Sequence, residues 1–364
     1  MSTDTILKSG KLPYALFARL LIVLLLAAAL VVAGCGSTGT KGGAPSANGS
    51  QPTGNGAASQ PAGTLTQFLL ATAATDANGI TAGPDGNLWF TECTTSASGN
   101  CGQGQIGRIT PAGHITEFPL PTPDSVPQGI TKGPDGNLWF TEEAGSKIGR
   151  ISPAGQITEF PLSAGATPYR ITAGPDGNLW FTDFAISQIG RITPGGQITE
   201  FPLEPLNSAY AITAGPDGNL WFTKEFGQIG RITPTGTVTE VPLPTADSDA
   251  ADITAGPDGN LWYTDFTGNQ IGRITPTGTV TEFPLPAAKS GPYGITAGAD
   301  GNLWFTEKTG SQIGRITPAG AVTEFPISTA DGAEGSGPVE ITAGPDGNLW
   351  FPLTYFIDRM TSGK

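Results

Sequence analysis

Seven points along the chain bring polar or aromatic side chains to the same place in a recurring unit, and these residues carry the chemistry the sequence offers. Asn78, Gln128, Tyr169, Tyr210, Ala251, Tyr293 and Val339 each stand just before a short Ile-Thr run, with Arg170, Asp252 and Glu340 one residue further on. Three tyrosines and an arginine supply flat amphipathic surface and hydrogen-bond donors, which suit a peptide, a sugar or an aromatic ligand. A second set follows a Trp-Phe-Thr motif: Glu92, Glu142, Asp183, Glu225, Asp265 and Glu307. Carboxylates gathered about one axis are the hard donors that Mg²⁺ or Ca²⁺ takes. Spread around a wide ring, they are instead solvated or arginine-paired. Arg108, Arg150, Arg191, Arg231, Arg273, Arg315 and Arg359 occur once per unit. Used that regularly, they read as scaffold, paired with carboxylates such as Asp85 and Asp135.

Other chemistries are excluded by inspection. The chain has one histidine, His114, in a turn segment Ala112-Gly-His-Ile-Thr116, so no Ser-His-Asp triad can be assembled. It has no phosphate-binding Gly-rich Lys-Ser/Thr loop, no Gly-x-Ser-x-Gly turn and no His-Glu-x-x-His helix. Cys93 and Cys101 flank an insertion found only in the first unit; in an exported chain they are expected to form a disulfide. Their spacing, with no histidine nearby, argues against zinc.

The elements that must position these residues come from the repeat. Asn-Leu-Trp recurs at Trp89, Trp139, Trp180, Trp221, Trp262, Trp304 and Trp350, spaced 50, 41, 41, 41, 42 and 46 residues apart. These are all seven tryptophans. A Pro-Asp-Gly turn precedes each (Ala299-Asp300-Gly301 once), Ile-Gly-Arg or a variant follows, and Thr-Glu-Phe-Pro or a relative comes next. One unit therefore predicts four short strands: Gly129–Lys132, Asn137–Glu142, Lys147–Ser152 and Gln156–Pro161. Proline presets φ in the joining turns and glycine supplies a positive φ. Pro161 and its counterparts cannot donate to a ladder, which makes the fourth strand a sheet edge. Four antiparallel strands per unit of about 43 residues, with a second strand apolar on both faces, describe a propeller blade. The last unit, from Val339, has only three strands, whereas residues 64–70 look like an isolated fourth. The expectation is an all-β, seven-bladed propeller over 64–364, its last blade closed by strand 64–70, which removes the open edges of the array.

Composition agrees. Gly (53) and Pro (32) make up nearly a quarter of 364 residues and charged residues only 13%, which marks turn-rich material and excludes a coiled coil. With 38% hydrophobic residues, the chain can bury a core and is not wholly disordered. A net charge of −13 without clustered Lys/Arg excludes nucleic acid and anionic membrane surfaces as partners. Residues 1–34 read as an export signal: basic residues through Arg19, an apolar run Leu20 to Val32, and Val32-Ala33-Gly34-Cys35, which resembles the bacterial lipobox. Cys35 is the expected lipidation site, and residues 35–63, rich in Gly, Ser, Pro and Ala, a flexible tether. Such a protein is exported and held on the outside of the bacterial cytoplasmic membrane or on the outer membrane.

Gly-Pro-Asp-Gly-Asn-Leu-Trp-Phe-Thr-Glu, then Ile-Gly-Arg-Ile-Thr, then Thr-Glu-Phe-Pro-Leu-Pro resembles the virginiamycin B lyase (streptogramin lyase) family over essentially all of residues 64–364. That resemblance implies Mg²⁺-dependent eliminative C–O cleavage of cyclic depsipeptide antibiotics, provided the catalytic positions are kept. The family's histidines stand in Pro-His-Gly-Ile-like segments, where this chain has Ala251, Tyr293 and Val339. Its acidic metal ligands in the last blade correspond to Gly337 and Pro352-Leu-Thr354. Glu340 and Tyr293 are the only candidates for a replacement base. The leading expectation is a binding or scaffold lipoprotein for a peptide, glycan, cyclic depsipeptide or protein partner. A streptogramin lyase with a relocated base, and a metal-dependent lactonase, are the alternatives.

Overall fold

A computed structural model describes residues 61–363 apart from 73–74, 96–100, 204–207, 246 and 328–336. The export signal, Cys35 and nearly all of the tether lie outside these residues. The described chain forms seven four-stranded antiparallel sheets, each in consecutive strand order except the last. Blade two is typical, with strands Pro127–Lys132, Leu138–Glu142, Lys147–Ile151 and Ile157–Pro161 from the axis outwards. The innermost strands of successive blades lie side by side around that axis. The last sheet joins Thr342–Ala343, Leu349–Leu353 and Phe356–Met360 to the N-terminal strand Leu65–Leu69.

The repeat words each have a mechanical task. In every blade the first five residues of the second strand are buried, as in Leu138–Glu142, because neighbouring blades cover both its faces. Its tryptophan stacks on the outer-strand phenylalanine, Trp139 on Phe160 with ring centres 5.4 Å apart, and the third-strand Arg150 lies over both rings at 5.4 and 5.5 Å. The indole N–H donates to the turn aspartate, Trp139 to Asp135 at 3.0 Å, and Arg150 approaches the same carboxylate at 3.9 Å. Arg150 also donates to Pro194 O in the next blade's hairpin at 3.1 Å. The arginine column is thus scaffold, as its regularity indicates. Among the described residues six hydrogen bonds of this kind are formed, the last from Arg359 of blade seven to Pro111 of blade one at 2.9 Å. The glycine of Ile-Gly-Arg is needed because a Cβ on Gly149 would lie 2.0 Å from the Phe140 ring.

Closure reaches further than residues 64–70. Leu65 pairs with Met360 and Leu69 with Phe356, and Phe68 stacks on Trp350 as the other outer-strand phenylalanines do on theirs. Pro61-Ala62-Gly63 then takes the place of a Pro-Ala-Gly hairpin turn. Gly63 has φ +86°, as Gly155 has +87°, and donates to Thr361 O at 2.9 Å. One hairpin of the disc is therefore made from both ends of the propeller chain.

Candidate functional site

The hairpins occupy one face of the disc and vary little between blades. On the other face the second-to-third-strand loops hydrogen-bond to the segment entering their own blade: Glu143 N to Val126 O at 3.0 Å, Phe184 N to Thr167 O at 3.1 Å, Lys308 N to Gly291 O at 2.9 Å. Both variable sets therefore share a face, and the mouth of the central channel opens among them.

A bulge in the innermost strand of each of blades one to six sets the mouth residues there. Register breaks between Pro127 and Ile130, Pro168 and Ile171, Ala209 and Ile212, and Pro292 and Ile295, leaving two residues unpaired and re-aimed. The second-strand threonine satisfies the freed backbone: Thr141 Oγ1 accepts from Gly129 N at 2.9 Å and donates to Tyr169 O of the next blade at 2.8 Å. This device recurs with Thr91, Thr182 and Thr306.

These bulges bring residues from opposite blades together. Arg170 of blade three forms an ion pair with Glu340 of blade seven. Its guanidinium lies 4.9 Å over the Tyr169 ring, and the Tyr169 hydroxyl is 3.4 Å from that of Tyr293 in blade six. Asp252 accepts N–H groups from Ile253 at 2.8 Å and Ile295 at 2.9 Å. Burial, then the charge of Glu340, pushes its carboxyl up to about 7, against the pull of Arg170. Burial also raises Glu340, opposed by Arg170. The Tyr293 phenol is held well above its usual range, by Tyr169 first and burial second. Arg170, Asp252 and Glu340, with Gly79, Gly129 and Ile171 among the other walls, line a cavity of about 130 Å³.

Five residues expected at the central opening lie in one cluster: Tyr169, Arg170, Asp252, Tyr293 and Glu340. Tyr210 joins through its ring, edge-on to Tyr169 at 6.5 Å. Gln128 donates to Glu143 at 2.7 Å at the rim, and Asn78 is half-buried at the matching place in blade one. The metal ring needs correction. Glu92, Glu142, Asp183, Asp265 and Glu307 are buried inside separate blades. Asp265, for example, accepts from Asp249 N, Gly268 N and Gln270. Their alternation along the strand turns them towards the blade interior beside the phenylalanine. Glu225 does not belong with them, because Lys224 fills that position, buried and paired with Glu240. Among the described residues no three His, Cys, Asp or Glu side chains gather closely enough to hold a metal ion.

Sequence reasoning missed the column one residue further on. Cys93, Glu143, Phe184, Glu225, Phe266 and Lys308 all stand four residues after the tryptophan. Five of them touch the inner ring: Glu143 accepts from Gln128, Glu225 from Tyr210 at 3.1 Å, Phe184 packs on Tyr210 at 5.0 Å, Phe266 meets Tyr293 edge-on at 6.3 Å, and Lys308 Nζ lies 4.7 Å over the Tyr293 ring. The signal was the variability of this column beside its uniform neighbours. Cys93 and Cys101 are joined by a disulfide at the base of the blade-one insertion. His114 is exposed on the hairpin face, away from the mouth.

These features define a seven-bladed propeller whose axial mouth carries a polar, aromatic site. The virginiamycin B lyase family matches residues 56–224 and 204–361, and the chain belongs to that family. A streptogramin B lyase structure is 38% identical with a TM-score of 0.76, covering 82% of this chain and 97% of that one. A catalytically inactive histidine-to-alanine variant of the Staphylococcus aureus virginiamycin B lyase, with quinupristin, is 38% identical with a TM-score of 0.75, covering 82% and 99%. The extracellular domain of a hybrid two-component system from Bacteroides thetaiotaomicron shares the fold alone, at 14% identity and a TM-score of 0.63, covering 83% and 43%. None of the curated proteins matches.

The Mg²⁺ that the resemblance implies does not fit the residues at the two matching positions of the last blade. Leu353 in the last blade is a buried hydrocarbon, and a Cβ on Gly337 would lie 1.7 Å from Lys308 O, leaving no room there for an acidic side chain.

Proposed function

We propose that this protein is an exported, membrane-anchored propeller that binds a ligand of peptide or related chemistry at its axial mouth and does not cleave it. One observation carries the reading: where the family's histidines belong, the chain has Ala251, Tyr293 and Val339, and the mouth is tied into an Arg170–Glu340, Tyr169–Tyr293 network. Abstraction of a proton alpha to a carbonyl requires a base that titrates near working pH. Tyr293 is held protonated, Glu340 is engaged by Arg170, and Asp252, although raised to about 7, has one carboxylate oxygen on Ile253 N and the other on Ile295 N, so none of the three stands free to replace histidine. A network of tyrosines and a fixed guanidinium is instead suited to holding a peptide, glycan or depsipeptide surface. Lipidation at Cys35 would keep this mouth outside the cytoplasm.

The deciding experiment incubates the purified protein with a type B streptogramin, with and without Mg²⁺, and follows ring opening by chromatography. An intact antibiotic is expected. Metal-dependent opening would overturn the reading, and its loss in Glu340→Ala or Tyr293→Phe would identify a relocated base. Anchoring is tested separately: Cys35→Ala should move the protein from the membrane fraction to the soluble one.

A further inference from the structure

We infer that the mouth is a receptor for a free carboxylate, with Lys308 as the cation that meets it. The inference rests on the ligand-binding reading above and specifies the chemistry of that ligand. Lys308 follows the second strand of blade six. Its loop is fixed by hydrogen bonds from Lys308 N to Gly291 O at 2.9 Å and from Thr309 N and Gly310 N to Ser290 O at 3.0 and 2.9 Å. The side chain is half-buried with its ammonium over the Tyr293 ring. Among the described residues it has no carboxylate partner, whereas Lys147 and Lys224 each have one. Burial and the nearby Arg170 charge depress its pKa, the mark of a cation lacking a counter-charge.

Across the mouth stands the matching half. Arg170 caps Tyr169 as Lys308 caps Tyr293, and the two phenol hydroxyls meet between them. Attraction to the ring quadrupole holds each cation on its ring face, beside the phenol pair. Arg170, however, is neutralised by Glu340. The other acids nearby are also engaged: Asp252 by two backbone N–H groups, Glu225 by Tyr210 and Glu143 by Gln128. An arriving anion therefore meets an ammonium with no carboxylate partner among the described residues and the one phenol O–H that the Tyr169–Tyr293 pair leaves free, on a chain whose overall charge is strongly negative. Phe266 meets Tyr293 edge-on, and Phe184 packs on Tyr210, which stands edge-on to Tyr169, so the group next to the carboxylate is expected to be apolar or aromatic. A peptide C-terminus ending in such a residue has both features.

The test is calorimetric titration of the whole protein with N-acetyl-phenylalanyl-phenylalanine and with its C-terminal amide, which differ only in the charge. The acid should bind about tenfold or more tightly than the amide, as expected for a charge-assisted hydrogen bond in a partly buried site. Lys308→Gln should abolish the difference while circular dichroism and the melting temperature stay unchanged. Equal affinity for acid and amide, binding of neither, or a difference that survives Lys308→Gln overturns the inference. Opening of a cyclic antibiotic would overturn the non-cleaving reading yet leave the acid-to-amide difference untouched, so the two failures are distinguishable.

Discussion

Removing residues 1–63 should destabilise the propeller, and removing residues 1–60 should not. Pro61 O accepts hydrogen bonds from Thr361 Oγ1 at 2.6 Å and Thr64 Oγ1 at 2.9 Å, and Gly63 N donates to Thr361 O at 2.9 Å. At about 1 kcal/mol for each such bond, discounted for exposure, the longer deletion costs about 2–3 kcal/mol. For a propeller of this length that corresponds to a fall of about 3–5 °C in melting temperature. Gly63→Ala should reproduce part of the loss, because Gly63 has φ +86° and a Cβ would lie 2.7 Å from the Phe325 ring. Deletion through Leu70 is a different perturbation: it removes the Phe68–Trp350 stack and exposes a sheet edge, so aggregation is expected. Thermal and urea midpoints of the three truncations, measured at two scan rates, decide the matter. Coincident curves for the first two would refute the claim that Pro61–Gly63 is the missing hairpin.

The buried carboxylates give an unusual pH dependence. Burial raises Glu142, Glu307 and Asp358 to about 7, so between their unfolded values near 4 and about pH 7 the folded state holds more protons and stability falls as pH rises, by at most about 3–4 kcal/mol per group. Urea midpoints should be higher at pH 5 than at pH 8, and Glu142→Gln should flatten that slope; a protein more stable at pH 8 contradicts the assignment. Reducing the Cys93–Cys101 disulfide, whose Cα atoms are 5.5 Å apart, should lower stability by about 2–3 kcal/mol in the chain-entropy model, measured with Cys93→Ser/Cys101→Ser as control. Asp135→Ala removes the acceptor for Trp139 and Asn137 and should cost about 2–4 kcal/mol by leaving a buried indole N–H unsatisfied, with mouth ligand affinity unchanged.

The fold was legible because a propeller repeats each structural instruction seven times. A turn aspartate, an indole, a glycine under a phenyl ring and an arginine reaching the next hairpin depend on neighbours at nearly fixed separations, such as four residues from Asp135 to Trp139 and forty-four from Arg150 to Pro194. Periodicity exposes contacts of that kind. It also exposed the missing outer strand of blade seven, although the closing turn at Pro61 was hidden because half of it lies at the other end of the propeller chain.

The mouth was only partly legible, for the opposite reason. Its contacts join blades across the ring: Tyr169 and Tyr293 are 124 residues apart and Arg170 and Glu340 are 170 apart. No spacing rule predicts such pairs, and only the bulge that recurs in the inner strands of blades one to six marks their columns. The acidic column was misread because strand alternation decides direction. Glu142 and Glu143 are adjacent, yet one turns into the blade interior and the other reaches Gln128 at the rim. In blade four, lysine stands in the buried column and Glu225 in the mouth column, so a search for carboxylates alone merges two surfaces with different roles. Separating them isolates Lys308, the one cation of its column. Scaffold positions are those where all blades agree; ligand choice must come from positions where they differ.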